Sequence, residues 1–207
     1  MQGLDPATMR FREWLGLHDA LRDPVLRRWL RSIALPEPTQ FQVAELVRQL
    51  AEAGEDRQPC VRWPGVEVRR YRELLHALPP LHLPALDWSE DFTGAPLALP
   101  ADIGVLKLVP LEAGATPPEL TDPAYVRFRR GGESLKLDGG AHTRELRDLL
   151  QEAGIPPWQR SRMPLVFDGD GALIAVADLW TSESGAERLS RARARLEWSA
   201  RVGPDSA

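Results

Sequence analysis

Two rhythms of apolar positions alternate along this chain, and each predicts an element. Val25, Leu26, Trp29, Leu30 and Ile33 recur at helical spacing after Leu21, with Arg22, Arg27, Arg28 and Arg31 on the remaining surface, which predicts an amphipathic helix. Pro36 and Pro38 end it, and Thr39-Gln40-Phe41-Gln42 offers the hydroxyl and amide of a capping box for a second helix. The apolar face predicted for that helix is Phe41, Ala44, Val47, Leu50 and Ala51, with Gly54 closing it. The period then drops to that of strands. Cys60-Val61-Arg62-Trp63, a Pro64-Gly65 reversal and Val66 to Tyr71 read as a hairpin, and Glu73 to Leu78 reads either as its continuation or as helix.

The second half repeats the change of rhythm. Ile103 to Val109 is apolar enough for a strand, and Tyr125 to Arg130 alternates as a half-buried strand before breaking at Gly131-Gly132. Thr143 caps a predicted helix with Leu146, Leu149 and Leu150 on one face, stopped by Gly154 and Pro156-Pro157. A proline-stiffened loop follows to Pro164. Pro164 to Phe167, the turn Asp168-Gly169-Asp170-Gly171 and Ala172 to Val176 then predict a hairpin whose second arm is buried on both faces. Arg191 to Trp198 alternates strictly and favours a last strand with Ala192, Ala194, Leu196 and Trp198 inward, although its alanines and arginines are also good helix formers.

Between the halves, Pro79, Pro80, Pro84, Pro96 and Pro100 punctuate a stretch without periodicity, which reads as a stiff connector. The expected organisation is therefore α+β in two small domains. The first spans 9–78 and is mostly helical with a hairpin. A linker covers 79–96, and a second domain, a mixed β-sheet with one main helix, covers 97–207. Residues 1–8 show no periodicity and are set apart as a cloning remnant or frayed start.

Composition narrows the chemistry. With 43% hydrophobic and 27% charged residues among 207, the chain suits a folded protein and argues against disorder. No run is apolar for long enough to span a bilayer and no signal-peptide core is visible, so the expected location is cytoplasmic, away from membranes. Cys60 is the one cysteine, which excludes an internal disulfide and reads as a small hydrophobe. Four scattered histidines argue against a zinc site, and Asp168 with Asp170 is explained by turn geometry without calcium. His142 and Glu145 have no serine or cysteine in a nucleophile setting, so no catalytic residue is assigned. The net charge of -4 means that any nucleic-acid surface must be a local basic patch.

Such a patch is visible around the proline loop. Lys136, Arg144, Arg147, Arg160 and Arg162 gather in one short region, and guanidinium groups both chelate phosphate and stack on bases. On the predicted helix Arg144 and Arg147 would be neighbours, but Glu145 and Asp148 offer them ion pairs, so RNA contact and a solvated ion-paired face stand as equal readings. Arg160 and Arg162 lean towards RNA through their loop position. Trp158 reads as a core anchor beneath the loop, with base stacking the lesser reading. The arginines of the first helix read as a solvated face before an RNA-contacting one.

Taken in order, these pieces carry a resemblance. The run from Arg127 to Val176, with Arg130-Gly131-Gly132-Glu133, the helix end Leu150-Gln151-Glu152-Ala153-Gly154, the loop Ile155-Pro156-Pro157-Trp158-Gln159-Arg160-Ser161-Arg162 and the hairpin, resembles the C-terminal domain of bacterial tRNA(Ile)-lysidine synthetase. More loosely, Trp29-Leu30-Arg31, Pro59 to Arg62 and Arg69 to Tyr71 resemble the same family's middle, substrate-binding domain. The resemblance implies a parent ligase that uses ATP with Mg to join lysine to the wobble cytidine of a minor isoleucine tRNA, and a C-terminal domain that contacts the acceptor-stem side of tRNA(Ile). The family's Ser-Gly-Gly-x-Asp-Ser loop is absent, and Gly131-Gly132-Glu133-Ser134 lacks its leading serine and its aspartate. The expectation is therefore a tRNA-recognition portion without its own cofactor, partnered by a catalytic domain upstream. A protein-binding adaptor without enzymatic activity is the alternative.

Overall fold

The computed structural model describes residues 5–54, 57–116 and 118–199. The chain divides into two compact units, one ending at Leu81 and the other beginning at His82. Both are α+β.

In the first unit, β1 (Thr8–Arg10), α1 (Phe11–Leu15), α2 (Asp19–Ser32) and α3 (Gln40–Glu52) precede β2 (Cys60–Trp63), β3 (Val66–Tyr71) and β4 (Leu74–Leu78). The strands form one antiparallel sheet in the order β1-β4-β3-β2. The hairpin forms in the expected register, Trp63 opposite Val66 across a Gly65 whose φ of +80° admits the tight reversal. Leu74–Leu78 takes the strand alternative. Thr8, within the stretch set apart as a remnant, is buried in β1 opposite His76. Three tryptophans anchor this core, and each places its indole N–H on a main-chain carbonyl: Trp14 on Arg22 at 3.0 Å, Trp29 on Pro6 at 2.9 Å, Trp63 on Pro36 at 2.9 Å. Burying so large a ring is favourable only when that one donor is satisfied.

The capping box forms as read: Thr39 N–H donates to Gln42 Oε1 at 2.7 Å, and Gln42 N–H to Thr39 Oγ1 at 3.4 Å. The face of α3 does not. Val43, Leu46 and Leu50 are buried with Val47 packed against them, while Phe41 is 79% exposed. Two apolar stripes were available, and the sheet accepted the aliphatic one, which continues through two turns at three- and four-residue spacing. Of the α2 arginines, Arg31 pairs with Glu37 at 2.6 Å, Arg22 with Asp19 at 2.9 Å and Arg27 with Asp23 at 2.5 Å.

The second unit comprises β5 (Ser89–Asp91), β6 (Leu97–Leu99), β7 (Gly104–Pro110), β8 (Ala124–Arg127), β9 (Ser134–Lys136), β10 (Thr143–Glu145), α4 (Leu146–Glu152), α5 (Pro157–Arg160), β11 (Leu165–Asp168), β12 (Leu173–Val176), β13 (Trp180–Thr181), α6 (Glu183–Arg191) and β14 (Ala194–Ser199). It holds a five-stranded sheet, β13-β12-β11-β8-β5, a three-stranded sheet, β14-β7-β6, and the ribbon β10-β9. Val166 and Ile174 face the core shared with Leu106 and Leu196, whereas Leu165, Phe167 and Val176 face the core of Leu135, Leu146 and Leu150. The hairpin β11-β12 is thus buried on both faces. Its turn is held by Asp168 Oδ1, which accepts from the N–H groups of Asp170 at 3.1 Å and Ala172 at 2.8 Å.

Several expectations are corrected here. Among the described residues the unit has three helices in place of one main helix. Helix α4 starts at Leu146, not Thr143, because Thr143–Glu145 pairs with β9 and Leu146 N–H is satisfied by Glu133 O at 2.9 Å instead of a threonine cap. Its end is as read: Ile155 N–H reaches Leu150 O at 3.0 Å and Gly154 N–H reaches Gln151 O at 3.1 Å, with Gly154 at φ +71°, a Schellman closure. The proline loop contains α5, since Pro157 sits at the first helical position, where a missing N–H costs nothing. Trp158, the second residue of this helix, is buried.

The polar run after Trp180, left without an element, is α6, capped by Ser182 Oγ on Gly185 N–H at 3.1 Å. Its glycine is required by contact, since a Cβ there would lie 2.1 Å from Ile174 O. The last strand begins at Ala194, with Ala194 and Leu196 inward and Ala192 at the helix end.

The connector is only partly a connector. Ser89–Asp91 pairs with β8, Phe92 is buried, and Trp88 packs on Phe128 with ring centroids 5.1 Å apart. Arg162 Nη1 donates to His82 O, and Arg130 Nε donates to Leu86 O at 2.8 Å, so the segment is strapped to the second unit.

Candidate nucleic-acid interface

The glycine pair after β8 is the pivot of the second unit's surface. Gly131 at φ +100° and Gly132 at φ +79° turn the chain so that Glu133 folds back beneath it. The Glu133 side chain is 2% exposed and accepts from Arg127 Nη1 at 2.9 Å, Arg130 N–H at 2.7 Å and Gly131 N–H at 3.0 Å, with Arg129 Nε at 3.6 Å. Burial pushes this carboxyl up, but the Arg127 guanidinium and the backbone N–H groups outweigh it and hold the group below the usual glutamate range. Arg127 also lies over the Phe167 ring, 4.0 Å from its centroid. Two guanidinium groups thus meet one carboxylate, and the locality keeps a positive charge.

Over this turn opens a groove of about 480 Å³. Its floor carries Phe167 and Leu173, and its walls carry Ser134 and Lys136 of β9, Thr143 of β10, and Ser182 and Ser184 at the start of α6. The register that pairs Thr143 with Lys136 sets hydroxyl and ammonium side by side. Lys136 Nζ is 3.7 Å from Glu183 Oε2 with both side chains largely in water, so the pair is weak.

The five basic residues singled out from the sequence lie on separate elements. Lys136 stands in the groove. Arg144 lies on β10 and pairs with Glu152. Arg147 lies on α4 between Glu145, at 3.5 Å, and Asp148, at 3.2 Å. Arg144 and Arg147 are not neighbours on one helix, because the helix begins after Arg144. Arg160 ends α5 with Nε on Ile155 O at 2.6 Å. Arg162 donates to His82 O and to Asp102 O, the latter at 3.4 Å, and burial pushes its guanidinium down while Asp102 acts against that. Arg127, Ser134, Thr143, Ser182 and Ser184 were not read as site residues. The glycine pair signalled the turn, but the partners that face it come from elements far along the chain.

Fold and groove define a two-module chain, a helical unit closed by a small antiparallel sheet followed by a β-rich unit with a polar, hydroxyl-lined surface. Family models fall on these two modules in order. The TilS substrate binding domain matches residues 10–76, and the TilS substrate C-terminal domain matches residues 124–198. The chain therefore carries the substrate-binding and C-terminal domains of the tRNA(Ile)-lysidine synthase family.

It is 35% identical over 196 residues to a tRNA(Ile)-lysidine synthase of Yersinia pseudotuberculosis, covering 86% of this chain and 42% of that protein. It is 37% identical over 184 residues to one of Xylella fastidiosa, covering 86% and 40%. The chain spans about two fifths of the length of these curated relatives. A crystal structure of a TILS C-terminal domain aligns over 56% of this chain and 100% of its own, at 26% identity and a TM-score of 0.41.

Proposed function

We propose that this chain is the tRNA-recognition portion of a tRNA(Ile)-lysidine synthase, the parent enzyme joining lysine to the wobble cytidine of a minor isoleucine tRNA at the expense of ATP. The observation that carries the reading is the presence of both family domains in one chain, in the family's order. Recognition is the share that the residues here fit. Among the described residues no group of three or more His, Cys, Asp or Glu is placed to hold a metal ion. The glycine pair spends its Gly131 N–H on Glu133 and not on a phosphate. In this reading the ATP- and Mg-dependent activating chemistry belongs to a catalytic domain of the parent enzyme.

The substrate is held by the second unit's surface, with Lys136 as the groove's cation, only weakly paired with Glu183. Arg144, Arg147, Arg160 and Arg162, each held within its own unit, contribute less. The competing adaptor reading rests on Leu83 and Leu86, 63% and 72% exposed.

The test is direct binding of the purified chain to tRNA(Ile) and to an unrelated tRNA. The expected result is binding that weakens with salt, with no lysine-dependent turnover until a catalytic domain of the family is supplied. Absence of binding to any tRNA would overturn the reading.

A further inference from the structure

We infer that the groove above Gly131-Gly132 is a ribose–phosphate subsite that distinguishes RNA from DNA, an inference that rests on the tRNA-recognition reading. A subsite of this kind needs a cation for the phosphate, hydroxyl partners for the 2′-OH, and a shape that admits a backbone. The groove supplies each.

Lys136 stands at its wall, loosely paired with Glu183 in water, and the Arg127–Glu133–Arg129 group beneath keeps one guanidinium charge in excess. Phosphate therefore meets a net positive locality although the whole chain is at -4. The buried carboxylate does not repel it, because its oxygens are already taken up by Arg127, Arg130 N–H and Gly131 N–H.

Ser134 and Thr143 hold exposed hydroxyls on adjacent strands, each able to donate and accept, which is the pairing that a 2′-OH requires. Ser184 adds a third from α6. A Cβ on Gly131 or Gly132 would meet nothing within 4 Å, so the turn leaves open space where a sugar–phosphate chain can lie. The elements that build this groove, β9, β10 and the start of α6, are placed by two separate backbone registers, Thr143 opposite Lys136 and Leu137 opposite Ser182.

The test compares an RNA hairpin and the DNA hairpin of the same sequence, each titrated against the full chain over a salt series. The wild type is expected to prefer RNA. Ser134→Ala with Thr143→Ala should draw the RNA and DNA affinities together, while leaving DNA binding and the melting temperature unchanged. Lys136→Ala should weaken both hairpins about three- to tenfold and lower the salt slope by about one, the value for one phosphate contact. Thr143→Glu, which puts a carboxylate into the groove, should abolish RNA binding in a chain that still folds.

If the wild type binds neither hairpin nor tRNA, the recognition reading itself falls. If it binds RNA and the folded variants match it in affinity, preference and salt slope, recognition stands and this groove is removed from it.

Discussion

Glu133 shows how a residue's role can go unseen when its sequence neighbours are read correctly. Gly131-Gly132 announces a turn, but nothing in the local pattern says that the next carboxylate is swallowed beneath it between Arg127 and Arg129. That placement has a consequence for pH. The folded carboxyl lies below its unfolded value of about 4.3, so its contribution to stability is complete above that value and is lost as pH falls through the folded one. Melts between pH 3 and 6 should show the wild type losing stability towards the acid end. Glu133→Gln, which strips two largely buried guanidinium groups of their counter-charge, should be less stable by about 3 kcal/mol near neutrality and flatter in that acid window. Equal stability of the two proteins at pH 7 would mean that the arginines find water instead.

Among the elements, legibility followed the strength of the local signal. The capping box at Thr39, the Gly65 reversal, the Gly154 stop and the Asp168 turn each have a chemistry that works within a few residues, and all four form as read. The face of α3 was decided by what the sheet would accept, and β10 by its pairing with β9, neither of which a window of sequence contains. Helix α6 was hidden because its burial runs through Gly185 against a β12 carbonyl, a contact without a hydrophobic signature. The proline-rich connector was read from composition, yet His82 to Asp91 is tied down by Arg162, Arg130, Trp88 and β5 pairing. Limited proteolysis should therefore spare 89–100 and cut, if within the connector, near 79–81. Arg162→Ala should lower the melting temperature and open a new cleavage site between His82 and Trp88, whereas early cutting at 89–100 in the wild type would show that the strand does not hold.

For the whole molecule the governing fact is charge cancellation. The chain has 26 Lys and Arg against 30 Asp and Glu, and on both units many basic side chains are matched by a neighbouring carboxylate, as Arg48 of α3 is by Glu45 and Glu52 and Arg147 is by Glu145 and Asp148. A cation that already has a partner releases little condensed counterion from a nucleic acid, because it must first give up that partner. If recognition rests on a small local surface such as the groove, binding of the full chain to tRNA(Ile) should fall with a log–log salt slope of only about -2 to -3. The double change Arg144→Ala, Arg147→Ala should leave affinity within about twofold of the wild type, since surface ion pairs of this kind are near energetic balance in either state. The measurement is a titration by anisotropy at several salt concentrations, with circular dichroism confirming the fold of each variant. A slope steeper than about -6, or a tenfold loss in the double variant, would show that these arginines leave their carboxylates to take phosphate, and that the interface extends over α4.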